Sequence, residues 1–170
     1  AASKLTAKAD VKAGDLIKGS SSSVFYVGAG LTTRHPFPSD KEFNSWGFNF
    51  DNLVNLSDAD LGSITLGAPV TYKPGTTAVK IATDPKVYAI AKGGVLRHIK
   101  TGAIAAVLYG ADWDKKVADV EDVLFTFYTP GTPITDAADF VPATVTANAC
   151  VAQSGNLHIA VSGCPPTVIQ

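Results

Sequence analysis

A chain of 170 residues, 46% of them apolar, can build one compact domain or two small ones and is not a disordered segment. Its 14 Lys and Arg against 15 Asp and Glu are scattered, so no basic surplus exists to hold a phosphate backbone or an anionic membrane, and nucleic acid is not expected as a partner. No apolar run approaches the ~20 residues that cross a bilayer, so membrane insertion is not expected either.

The chain contains no Met and starts Ala-Ala, as a chain trimmed after a small-residue cleavage site does, although loss of an initiator Met or an engineered start gives the same beginning. Residues 1–15 alternate weakly and read as an N-terminal arm, with Leu5 and Val11 as its apolar positions. A first unit is expected over 16–75. "LIKG" (16–19) and "VFYV" (24–27) read as strands joined through the serine run 20–23, and a glycine turn leads to a further strand ending in Arg34-His35. Ser39 then caps a helix with Glu42 three residues on, and Phe43 and Trp46 share one face. "NLVNLS" is a short strand, and "SDAD" (57–60) suits helix or turn capping better than calcium, because no EF-hand Gly and Glu follow.

"VTYKPGTTAVKI" reads as two strands about a Pro-Gly turn, a structured link between units that should pack together. A second unit, 76–140, carries the same signals: "VYAI" (87–90), a glycine turn, and a strand ending in Arg97-His98. A helix capped by Thr101 and stopped by Gly110 follows, with Ile104, Val107 and Leu108 on one face, and then the strand "VADVEDVLF". Arg34-His35 and Arg97-His98 are 63 positions apart, and "GAPV" (67–70) and "GTPI" (131–134) are 64 apart. A single ββα unit of this size buries little apolar surface, and stacking it on a copy shares one core.

Residues 141–170 are expected to form a β-rich extension. "CVAQSGNLHIAVSGC" places a turn between two β-prone runs, which brings Cys150 and Cys164 together; the reading is a disulfide and an oxidising compartment, with two buried thiols as the alternative. Closing that loop contributes about 3 kcal/mol on the chain-entropy model. The fold class expected is α+β: two tandem ββα-type repeats and a disulfide-stapled C-terminal extension.

At these residues the chain resembles a tandem repeat of secreted and cell-surface bacterial proteins. The motifs are "LIKG", "VFYV", "RHPFPS" (34–39) and Trp46 in the first unit, "VYAI", "LRHIKT" (96–101) and Trp113 in the second, and a "GxPV" close. The resemblance covers residues 14 to about 140. It implies an extracellular or cell-surface location and carries no catalytic residues. The N-terminal arm and the cysteine segment lie outside it.

Arg34, His35, Arg97 and His98 form two symmetry-related basic pairs that suit an anionic sugar or a partner carboxylate, and Trp46, Tyr109 and Trp113 suit sugar stacking. The commoner structural uses are an Arg that ties a helix or loop, a His stacked on an aromatic, and aromatics in the core. Asn55-Leu56-Ser57 is a glycosylation sequon. No nucleophile elbow, His-Glu-x-x-His or phosphate-cradling glycine loop is present, so no enzyme activity, metal or cofactor is expected. The expected role is a subunit of an extracellular homopolymer, a filament or surface layer joined head to tail by strand addition through the arms at Leu5, Val11, Val145, Val168 and Ile169. The alternative is a module binding cell-wall or extracellular glycan.

Overall fold

The computed structural model describes residues 4–28, 31–149, 151–154 and 157–160. The first sheet holds β1 (Leu16–Lys18), β2 (Phe25–Val27), β3 (Thr33–Pro36), β4 (Val54–Asn55) and β5 (Thr65–Leu66), with α1 (Asp40–Ser45) before β4 and α2 (Asp58–Gly62) after it. β1 to β3 form an antiparallel meander; β4 joins parallel to β1 and β5 parallel to β3, giving the order β4-β1-β2-β3-β5. The second sheet holds β6 (Ala78–Ile81), β7 (Tyr88–Ala91), β8 (Val95–His98), β9 (Ala118–Val120) and β10 (Thr129–Pro130). Helices α3 (Gly102–Tyr109) and α4 (Trp113–Lys116) precede β9, and α5 (Asp122–Phe125) follows it. Its order, β9-β6-β7-β8-β10, is that of the first sheet, strand for strand, with the same parallel and antiparallel pairings. The fold class is α+β.

Each sheet buries both faces, because neighbouring strand residues point to opposite sides and both sides meet apolar helices or loops. In the first sheet Leu16 and Tyr26 pack with Phe43 and Trp46 of the α1 region, while Ile17, Phe25 and Val27 pack with Leu56, Leu61 and Ile64 around α2. In the second, Ala78, Ala89 and Ile99 face Ala105 of α3, and Val79, Ile90 and Leu96 face Tyr128 and the α5 residues Leu124 and Phe125. Ser39 caps α1 by accepting from the Lys41 N–H, and its hydroxyl donates to the buried Glu42 carboxylate instead of completing a reciprocal backbone box. Thr101 caps α3 through the Ile104 N–H, and Gly110 ends it at φ +98°. Ile104 and Leu108 pack inward as expected, but Val107 is 72% exposed, since position 107 lies on the outer side of that short helix.

The link between the sheets is an extended, buried segment followed by a turn; only its second half is a strand, β6. Pro74 and Gly75 form the turn, with the Thr76 N–H donating to the Lys73 carbonyl and Gly75 at φ +80°. A side chain at 75 would also collide with Thr146 Oγ1 and the Pro142 carbonyl. The first half is bonded to both units: Val70 N–H donates to the Pro36 carbonyl, Trp46 Nε1 to the Thr71 carbonyl at 2.8 Å, and Tyr72 N–H to the Tyr128 hydroxyl oxygen at 3.0 Å. The units therefore pack as one body through this segment. Burial, with the Glu42 and Asp40 carboxylates nearby, pushes the Tyr72 phenol up to about 12.

Several expectations change. "VADVEDVLF" divides into β9 and α5, because Glu121 is extended and the chain turns helical after it. The C-terminal extension is not β from its start: Pro142, preset for a first helical turn, opens α6 (Pro142–Asn148). Val145 consequently packs on the second core and is no free strand position. The later pair does form, β11 (Val151–Ser154) against β12 (Leu157–Ala160), antiparallel, as a two-stranded sheet of its own. Cys150, Cys164, Val168 and Ile169 lie outside the described residues.

Candidate functional site

The two ladders show whether the basic pairs are equivalent. Phe25 pairs with Pro36 and Tyr26 with His35, while Tyr88 pairs with His98 and Ala89 with Arg97. Since β2 and β7 correspond at a spacing of 63, His35 corresponds to Arg97 and Pro36 to His98, at a spacing of 62. The reason is the turn: Val27 and its partner Arg34 are seven positions apart, whereas Ile90 and its partner Leu96 are six. Because side chains alternate along a strand, that single residue turns the second Arg-His pair over relative to the first. The expected symmetry of the four residues does not exist.

Each member has its own structural use. Arg34 lies on the α2 face, its Nε donating to the Ile64 carbonyl at 3.0 Å and its guanidinium 4.5 Å over the Phe25 ring. His35 is 6% exposed, with Nδ1 at 2.8 Å from the Ala68 carbonyl and Nε2 at 2.9 Å from Thr33 Oγ1. Gly67 leaves room for it; a Cβ there would stand 2.6 Å from the imidazole. Arg97 points to the α3 face, where Nε donates to the Thr132 carbonyl and an Nη to the Asp139 carbonyl, both at 2.9 Å. Trp46 is buried, so it is core and not a stacking platform. Tyr109 packs on the second core, with a buried hydroxyl that has no hydrogen-bond partner among the described residues.

His98 and Trp113 are placed differently. Both line a groove of about 250 Å³ at the outer end of β7 and β8, together with Lys86, Lys100 and the first residues of α3. The His98 ring is 5.6 Å from that of Tyr88. Partial burial, then the positive charges of Lys100 and Lys86, hold its pKa below the usual histidine value, against a smaller opposing effect of Asp84. Sequence reading missed the two lysines because they lie fourteen positions apart and each looks like an ordinary turn residue.

A second, wider groove of about 500 Å³ lies between the N-terminal arm and the β4–α2 corner, lined by Leu5, Lys18, Asn55 and Asp58 among others. The Thr6 N–H donates to the Asn55 carbonyl at 2.7 Å, which ties the arm to the outer side of β4. Leu5 is 59% exposed, but Val11 is buried in the first core and cannot serve as an assembly contact. Ser57 of the sequon caps α2 through the Asp60 N–H. Asp58 accepts from the Ser20 N–H and hydroxyl, which holds its carboxyl below the usual range. Asp112 pairs with Lys116 at 2.9 Å. No group of three or more acidic, His or Cys residues is placed to hold a metal ion among the described residues, nor is any helix there long and apolar enough to cross a membrane.

Compared with family models, curated proteins and solved structures, the chain finds no match in any of the three.

Proposed function

We propose that this protein is a structural subunit of an extracellular homopolymer, a filament or surface layer in which a terminal segment of one copy adds a strand to a sheet edge of the next. On this reading the two like-ordered sheets are tandem copies of one repeat, as the resemblance to the cell-surface repeat implies. The chain is exported, a Cys150–Cys164 disulfide staples the C-terminal extension, and the protein is not an enzyme.

The observation that supports it best is the inequality of the sheet edges. Unpaired edges invite strand addition, and proteins blunt them with proline, charge or cover. The β4 edge is met by the chain's own Thr6. The β9 edge carries Asp119, exposed and paired with Lys80 at 2.7 Å. At β10 the inward donors are Thr129 and Gly131, so the outward position falls on Pro130, which has no N–H. The corresponding residue of β5 is Leu66, whose neighbour Gly67 donates inward to the Arg34 carbonyl. Leu66 thus turns its N–H outward and is 59% exposed. Among the described residues, β5 is the edge left open. The hairpin β11–β12 pairs with neither five-stranded sheet of its own chain among the described residues. Main-chain bonds to such an edge supply affinity, and a head-to-tail contact propagates unless its rotation closes.

Electron microscopy of the purified chain beside Leu66→Pro tests this. The account predicts regular filaments or sheets from the parent chain, and monomers with an unchanged melting temperature from the variant, since proline already occupies the matching place in β10. Equal assembly by the variant would remove β5 from the proposal. Deleting residues 1–5, which spares Val11, or 165–170 should also impair assembly; intact polymers after both deletions would sink the role of the termini.

A further inference from the structure

The groove at the end of β7 and β8 brings like charges together. Tyr88 pairs with His98, and the Ile99 N–H donates to the Val87 carbonyl at 2.9 Å, so the next pair outward sets Lys86 opposite Lys100. Like charges directly opposed across strands destabilise a hairpin. Neither lysine forms an ion pair among the described residues, and no carboxylate lines the groove. Asp84 accepts from the Lys86 N–H and closes the turn. At the same place α3 begins: Thr101 satisfies the Ile104 N–H, and among the described residues the Gly102 and Ala103 N–H groups keep no backbone or side-chain acceptor and remain for an anion.

Apart from His98, the rest of the lining is apolar. Val87, Ile99 and Ala105 form a wall, and the indole of Trp113 closes one side. Gly102 stands against that indole, where an added Cβ would lie 3.3 Å from Cζ2. The first unit is an internal control. Its Phe37 N–H donates to the Val24 carbonyl in the matching bond, which places Ser23 where Lys86 stands and Pro38 where Lys100 stands. Pro36 and Asp40 replace His98 and Gly102. The cationic cluster is thus a property of the second unit alone and is not needed to build the fold.

We infer that this groove binds a carboxylate-bearing saccharide, with the carboxylate between Lys86 and Lys100 at the start of α3 and the sugar ring against Trp113. A volume of about 250 Å³ is below that of typical drug-sized sites and suits one sugar residue. The inference stands apart from the polymer reading.

Titration of the full chain with sodium glucuronate, followed by amide shifts in NMR, tests it, with glucose and acetate as parallel probes. Saturable shifts of Lys86, Thr101, Gly102 and the Trp113 indole are expected with glucuronate, much weaker ones with acetate, and none with glucose. The pair K86Q/K100Q, both exposed positions, should melt no lower than the parent chain, since the substitutions relieve a like-charge contact, and should bind about tenfold more weakly. Equal affinity for acetate would overturn the sugar, and equal shifts with glucose would overturn the carboxylate. Undiminished glucuronate binding by K86Q/K100Q, or no saturable binding by the parent chain, would overturn the site.

Discussion

The two halves of this molecule have one strand order and different surfaces. Among the described residues the first sheet leaves β5 open at Leu66, and it fills the end of its β2–β3 ladder with Pro36 and Pro38. The second blunts the matching edge with Pro130 and places His98 and Lys100 at the matching ladder end. The lesson is that the shared features are those the core needs, while edges and ladder ends, which the core does not constrain, differ. One residue in one turn is enough to change what a strand presents, because alternation converts a shift of one into a change of face.

The tryptophans give the largest test of that contrast. Trp46 is 4% exposed and donates to the Thr71 carbonyl of the link, so Trp46→Ala should cost roughly 3–5 kcal/mol by denaturant unfolding. Trp113 is only half-buried at the groove, and Trp113→Ala should cost clearly less. Equal losses would mean that the second indole is core as well. A smaller effect is expected at the joint. Tyr128→Phe leaves the buried Tyr72 N–H without its acceptor and should cost about 1–3 kcal/mol, with faster exchange of that amide. No change in either quantity would mean that the units are held together elsewhere.

The smallest effect concerns His98. Its folded pKa lies below the usual value, so between the two the unfolded chain binds more protons, and stability falls as pH drops from about 6.5 toward the folded pKa. The loss should be slight, because burial of the imidazole is only partial. Lys100→Gln removes a positive charge and should raise the His98 pKa in an NMR titration. A fixed or lowered value would show that the lysine does not face the imidazole.

Much of the architecture is legible in the sequence where a local signal carries it. Ser39, Thr101 and Gly110 mark helix ends by backbone chemistry alone, and the runs at 16–19, 24–27 and 87–90 alternate or are β-branched enough to announce strands. The linker fails that reading: Val70, Thr71 and Tyr72 look like a strand but bond to Pro36 and Tyr128 individually, which no local pattern encodes. Residues 142–148 mislead in the other direction, since β-prone Val and Thr are overruled by Pro142 and by packing of Val145. The candidate site was the least legible. The Arg-His match drew attention to residues that turn to different faces, whereas Lys86 and Lys100 gain meaning only when the hairpin sets them opposite each other.

The most direct test of the open edge is hydrogen exchange at the Leu66 amide, measured in dissociated chain and in assembled material. The account predicts fast exchange in the monomer and strong protection in the polymer, with the inward-bonded Gly67 amide slow in both. A Leu66 amide that exchanges as fast in the polymer as in the monomer would contradict strand addition at β5.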